Sequence, residues 1–225
     1  MNHPHVSLVP KRVTQIYSVF NWKFLREKNK YYISKSSDMM KITVKDTFIE
    51  GLKIIEPKVF GDNRGFFMET YNKKEFKEIG LNEDFVQDNH SRSSKGVLRG
   101  LHFQKKHQQA KLVRVIVGKV YDVAVDLRKN SETYGKYFGI ELSEENKLML
   151  FIPKGFAHGF LSLSERVEFI YKVTDFYCPK CEGGIIWSDK NINIRWPFKE
   201  NNIDKPILSE KDQNLSSLDD IEVYL

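Results

Sequence analysis

Between Leu112 and Thr174 the chain carries six apolar stretches of strand length with hardly any helical pattern between them: 112–117, 120–127, 136–142, 147–152, 156–163 and 166–174. Strands this closely spaced leave no room for the crossover helices that a parallel sheet requires, so the fold class they predict is all-β, an antiparallel sandwich or barrel of the small jelly-roll kind. Gly118-Lys119 between the first two stretches reads as a two-residue hairpin turn of type II′. Upstream, 47–57 reads as a strand, Gly61-Asp62-Asn63-Arg64-Gly65 as a turn with Arg64 at its tip, and 66–71 as a second strand. Asn72 opens a short peripheral helix with Phe76 and Ile79 on one face, which Gly80 ends.

Within this frame, 97–104 (Val-Leu-Arg-Gly-Leu-His-Phe-Gln) is the stretch that suggests chemistry. Alternation sets Leu101 and Phe103 on the core side and His102 with Gln104 on the other. A histidine held on a strand beside Arg99 is a candidate general base, because its ordinary pKa lies near neutrality. In 166–174 the same alternation groups Val167, Phe169, Tyr171 and Val173, so Tyr171 points into the sandwich. A buried phenol either bonds a carbonyl or water, or serves as an acid across an open pocket. Inverting a carbon next to a ketone needs a base on one face, a proton donor on the other and a positive group at the enolate oxygen. His102, Tyr171 and Lys111 are the candidates for those three roles.

The 225 residues, 40% of them hydrophobic, suffice for one globular core. Of the net charge of +6, residues 1–39 carry +5: seven Lys and Arg against Glu27 and Asp38. That basic segment reads as a dispensable N-terminal extension, and 40–225 as the folded domain. Since the domain itself is nearly neutral, the global charge is no argument for nucleic-acid binding. No apolar run is long enough for a bilayer span and no secretory signal is evident, so a soluble, cytoplasmic protein is expected. Cys178 and Cys181 offer no disulfide framework and too few ligands for structural zinc, and they read as two ordinary thiols in a turn at 177–183.

An ordered set of motifs carries a resemblance. Phe-Gly-Asp-Asn-Arg-Gly-Phe-Phe-Met-Glu (60–69), Val-Gln-Asp-Asn-His-Ser (86–91), Gly-Val-Leu-Arg-Gly-Leu-His-Phe-Gln (96–104) and Lys-Leu-Val-Arg (111–114) form its first half. Val-Ala-Val-Asp-Leu-Arg (123–128), Ile-Pro-Lys-Gly-Phe-Ala-His-Gly-Phe (152–160) and Leu-Ser-Glu-Lys-Asp (208–212) complete it. Together they resemble the dTDP-4-dehydrorhamnose 3,5-epimerase family over about 40–225. Ala110 departs from the glycine common in the family before the lysine.

The resemblance implies a cupin-type antiparallel jelly roll with a few short peripheral helices, a homodimer, a nucleotide-sugar substrate, and no metal or other cofactor. It implies inversion of both carbons flanking the ketone of dTDP-4-dehydro-6-deoxy-D-glucose, with His102 as base, Asp212 as its partner, Tyr171 as acid and Lys111 at the enolate. It further implies substrate contacts at Arg64, Glu69, Gln87, Asp88, Asn89, Arg99, His158, Tyr177, Glu182 and Lys211. Cations suit a diphosphate, and Tyr177 either stacks on the base or packs at a strand end. Three alternatives remain: a single-carbon epimerase on a related 4-keto sugar, a non-catalytic sugar-binding jelly roll, and a metal-dependent cupin oxygenase. The last is disfavoured because His102, His107 and His158 lack ligand spacing.

Overall fold

The computed structural model describes residues 42–221, so the expected extension at 1–39 lies outside the described residues. In chain order the strands are β1 (Ile42–Asp46), β2 (Lys53–Pro57), β3 (Phe60–Asp62), β4 (Gly65–Phe67), β5 (Gln87–Ser93), β6 (Leu98–Gln104) and β7 (Lys111–Val117). They continue as β8 (Lys119–Asp126), β9 (Tyr137–Ser143), β10 (Met149–Ile152), β11 (Phe156–Ser162), β12 (Val167–Val173) and β13 (Glu182–Gly184). Two short helices, α1 (Lys73–Glu78) and α2 (Glu210–Gln213), lie among them, and α1 is capped by Asn72 as the sequence predicts.

A front sheet runs β1-β2-β10-β7-β12-β5, a back sheet β13-β6-β11-β8-β9, and β3-β4 forms a separate hairpin. The named strands pair antiparallel throughout. This is the all-β jelly-roll sandwich that the strand spacing predicts.

Side-chain alternation sorts the apolar residues into three layers. Between the sheets, Val113, Val115, Leu150, Ile152, Val167 and Phe169 of the front pack on Val120, Ala124, Leu142, Phe156 and Phe160 of the back. Phe160 and Phe169 stack across the gap with centroids 4.3 Å apart. Outside the front sheet, Leu112, Met149 and Phe151 are covered by Phe76 of α1 and by Leu81. Outside the back sheet, Leu98, Leu101, Phe103, Val123, Val125, Ala157 and Leu161 are covered by Ile185, Ile192, Trp196, Ile203 and Leu218 from the C-terminal segment. Each fully buried Leu or Phe in such layers contributes ~1.5–3 kcal/mol.

Two local expectations are corrected. β7 and β8 are not a hairpin: β7 pairs with β10 and β12 in the front sheet, β8 with β9 and β11 in the back. Gly118 is therefore a corner where the chain changes sheets. It has φ +74°, and a Cβ there would lie 2.2 Å from the Arg166 carbonyl oxygen. The stretch 47–57 is not one strand either. Leu52 N–H donates to the Ile49 carbonyl and Thr47 N–H to that of Leu52, which makes 47–52 a turn between β1 and β2. Its Ile49 and Leu52 plug the inter-sheet core, and their apolar character is what imitated a strand.

Gly118→Ala is expected to destabilise the protein by more than ~2 kcal/mol, the left-handed penalty plus the clash with the carbonyl of Arg166. Urea unfolding monitored by tryptophan fluorescence would measure it. A variant as stable as the parent would mean the corner is free to move.

Candidate active site

The polar residues between the sheets follow from register, because residues paired directly across a ladder share a face. Tyr171 of β12 lies opposite Asn89 of β5 and Val113 of β7, and Val173 lies opposite Gln87 and Lys111. Val113 and Phe169 belong to the inter-sheet core, so Gln87, Asn89, Lys111 and Tyr171 face inward from the front sheet. On the back sheet His158 of β11 is opposite His102 of β6 and Ala124 of β8, while Asp122 is opposite Phe160.

The two sides of β6 thus divide differently from a simple core and solvent. Leu101 and Phe103 enter the layer under the C-terminal segment, and His102 enters the space between the sheets. Gly100 makes this possible: its φ is +111°, and a Cβ there would meet Gly159 Cα and the His158 carbonyl oxygen at 2.6 Å. The ladder slips at that point, and the alternation of β6 shifts so that Leu98 and Leu101 share a face.

Two histidine–carboxylate pairs stand in this space. His102 Nε2 is 2.6 Å from Asp212 Oδ1. Asp212 is presented by α2, whose N-cap Ser209 accepts the Asp212 N–H. Burial pushes the Asp212 carboxyl up, but His102, the Ser209 hydroxyl and the Gly100 backbone outweigh it and hold the pKa below the ordinary value. An ionised carboxylate only accepts, so Nε2 carries the proton and the basic lone pair of neutral His102 is on Nδ1.

His158 Nε2 lies 2.9 and 3.1 Å from the two oxygens of Asp122. Both side chains are buried. Burial lowers the His158 pKa, with Lys111 and His102 pushing the same way against Asp122, and the ring is neutral with Nδ1 as an acceptor. Burial also lowers Lys111 to about 8, against the opposing charges of Asp122 and Glu182. Tyr171 is raised, first by burial and then by Glu182 against Arg99, which keeps the phenol protonated at neutral pH.

Asp122 was missed in the sequence. The signal was there: an acid on the inward face of the largely apolar 120–127 strand, where an unpaired charge is not tolerated. Asp126, four residues on, is also buried, but its oxygens are taken by Arg128, Ser131 and Thr133.

At the mouth, Tyr177 donates its hydroxyl to Glu182 at 2.8 Å and its backbone N–H to Gln87 Oε1 at 3.2 Å. Glu182 pairs with Lys211 at 2.5 Å, and Gln87 Nε2 donates to Asn89 Oδ1. Arg99 donates Nε to Ser93 Oγ. Three expected substrate residues are elsewhere. Asp88 is on the outer face of the front sheet, paired with Lys172 at 2.9 Å. Arg64 sits on the β3-β4 hairpin, paired with Asp62, its side chain 85% exposed. Glu69 accepts from Asn72 ahead of α1.

The reading of Cys178 and Cys181 as free thiols is corrected: they are joined as a disulfide. A 3-10 turn over Pro179–Cys181 brings their Cα atoms to 5.2 Å, within bridging reach. Among the described residues, no three His, Cys, Asp or Glu side chains are grouped to hold a metal.

The family model described as dTDP-4-dehydrorhamnose 3,5-epimerase matches residues 46–220. The protein of that name from Salmonella typhimurium is 56% identical over 182 residues, 80% of this chain and 97% of its own. A crystal structure of the Elizabethkingia anophelis protein of the same name superposes with TM-score 0.75 at 53% identity, covering 82% of this chain and 100% of that one. A Legionella pneumophila dTDP-6-deoxy-D-glucose-3,5-epimerase, solved in complex with dTDP-4-keto-L-rhamnose, gives TM-score 0.77 at 48% identity over 80% of this chain and 95% of that one.

Asp122→Asn keeps the shape of the buried pair and removes its charge, so the Lys111 ammonium is expected to titrate below about 8. NMR of the lysine side chain across pH would show the shift. An unmoved titration in a folded variant would mean that Asp122 does not support that charge.

Proposed function

The chain belongs to the dTDP-4-dehydrorhamnose 3,5-epimerase family, and from that membership we infer that it inverts C3 and C5 of dTDP-4-dehydro-6-deoxy-D-glucose to give dTDP-4-dehydro-L-rhamnose, a step toward dTDP-L-rhamnose. The observation that carries this reading is the Asp212-held His102 on the back sheet, with Tyr171 and Lys111 on the front. Those are the base, acid and cation that inversion beside a ketone demands, supplied from opposite walls.

In this reading His102 Nδ1 takes the proton from the carbon beside the C4 ketone, and Asp212 stabilises the imidazolium that results. Lys111, charged below pH about 8, sits at the oxygen where enolate charge develops. Tyr171 gives its phenolic proton to the opposite face of the same carbon. Proton return from His102 and to Tyr171 through solvent resets the pair. Because C3 and C5 flank one ketone, the same groups serve both after the sugar shifts. The unprotonated Nδ1 of His158 suits a sugar hydroxyl. Arg99, Lys211, Gln87 and Asn89 suit the diphosphate, and Tyr177 with Glu182 the nucleoside.

We assign the activity to residues 40–225, with 1–39 dispensable, in the cytoplasm. No helix of the described residues is long and apolar enough to cross a membrane. A homodimer fits the exposed rings of Phe60, Phe66 and Phe67 on the β3-β4 hairpin, which a second copy would cover. Arg64 at its tip and nearby Glu69 would then meet that copy. Asp88, on the outer face with Lys172, acts in this reading through β5, the strand it shares with Gln87 and Asn89.

Incubation with dTDP-4-dehydro-6-deoxy-D-glucose in D₂O, followed by NMR, is expected to show deuterium at both C3 and C5. Label at one carbon would mark a single-carbon epimerase, and none would overturn the activity. His102→Ala should lose exchange at both carbons by ~10³-fold or more, while Tyr171→Phe should lose inversion by ~10²-fold with exchange less affected. Equal loss of exchange and inversion in Tyr171→Phe would count against Tyr171 as the acid.

The pH profile of kcat is expected to fall as pH rises through about 8, where Lys111 gives up its proton. A basic limb that stays in place when Lys111 is replaced by Arg would exclude Lys111 as its source.

A further inference from the structure

We propose that Cys178 and Cys181 are a reversible thiol–disulfide site that sets how firmly the nucleotide end of the pocket is held, an inference that rests on the substrate reading above. The placement carries it. The bridge closes the four residues 178–181, and the residues immediately outside it are Tyr177 and Glu182. Those two are bonded to each other, hydroxyl to carboxylate, at 2.8 Å.

The bridged turn is also docked on the back sheet and its mouth. Cys178 N–H donates to Gln104 Oε1 and Lys105 N–H to the Cys181 carbonyl, both at 2.7 Å. Tyr177 N–H reaches Gln87, and Glu182 reaches Lys211. The bridge thus spans the gap between two contacts that must hold together if Tyr177 is to stay over its place at the mouth. Both cysteines are only half-buried, and Phe176 and Tyr177 beside them are exposed, so a small thiol reaches the sulfurs. Disulfides in reducing compartments are characteristically transient and redox-sensing.

The exchange is two-electron chemistry with a low-molecular-weight thiol as reductant. Its thiolate attacks one sulfur, the Cys178–Cys181 bond breaks, and the released cysteine thiolate takes a proton. A second thiolate then attacks the mixed disulfide, freeing the other cysteine, which is protonated in turn. The products are two protein thiols and one oxidised dimer of the reductant. Reduction returns backbone freedom to 178–181 and loosens the Tyr177–Glu182 contact. His102, Lys111 and Tyr171 stand on strands of the sandwich and Asp212 on α2, none of them in the bridged turn. The consequence falls on KM and not on kcat.

The test equilibrates the full chain in glutathione buffers from fully reduced to fully oxidised. Alkylation and intact mass count free thiols, calorimetry gives the affinity for dTDP, and turnover gives KM and kcat. The expected result is a two-thiol transition along which dTDP affinity and KM weaken together about fivefold or more in the reduced form, the low end of coupling between linked sites, with kcat within about twofold. The Cys178→Ser/Cys181→Ser variant should match the reduced protein in every buffer. Thiols that stay free in oxidised buffer, a bridge that leaves dTDP affinity unchanged, or a double variant that still answers glutathione would each overturn the proposal. Redox-dependent dTDP binding without turnover would uphold the site and overturn the epimerase reading instead.

Discussion

Charge inside a β-sandwich is sustainable only where every charged group has its partner in reach, and this constraint organises the molecule. Between the sheets the apolar packing around the Phe160–Phe169 stack gives way to a polar set: Lys111, Asp122, His102, His158 and Tyr171. Two carboxylates make that set tolerable. Asp212 takes one histidine and Asp122 the other, and Asp122 also opposes the drop in the Lys111 pKa that burial imposes. The result is a graded series, with an ionised carboxylate at Asp212, a buried imidazole kept neutral at His158, a cation close to losing its proton and a phenol that keeps its own. Environments that drive titratable groups apart in this way are what assign acid and base roles.

Alternation of apolar and polar residues encodes which face a side chain takes, and so the strands and the inward aim of Tyr171 were legible in the chain. Alternation does not encode which strand is the neighbour. That is why β7 and β8 read as a hairpin although Gly118 carries the chain from one sheet to the other. Nor did it reveal that β6 has apolar cover on its outer side, since Ile185, Trp196 and Leu218 lie some 80 to 120 residues downstream. The grouping of His102, Asp212, Lys111 and Tyr171 was legible mainly through motif resemblance. Asp122 escaped because it sits inside an apolar strand with no motif of its own, and the cysteine bridge escaped because an isolated Cys-x-x-Cys carries no geometry.

The back sheet is held from both sides by material of opposite character. Its inner face presents histidines to the pocket, and its outer face is sealed by the C-terminal segment, tied in by the parallel bridges Val97 to Ile207 and Ile185 to Ser216. Rigidity at His102 therefore has two origins: the ladder with β11 and the apolar layer behind Leu101 and Phe103. A site on such a strand holds its geometry more closely than one on a loop. The mouth, in contrast, is built from turns and ion pairs at the surface, where adjustment is inexpensive in free energy.

The same C-terminal segment that seals the back sheet ends by presenting Asp212 from α2. During synthesis the strands of both sheets leave the ribosome well before that residue does. All the strands of both sheets precede it in the chain, so the carboxylate that fixes the His102 tautomer is made after His102, Lys111 and Tyr171. The order of residues along the chain thus acts as a timer, withholding the partner of His102 until the strands of both sheets have been made.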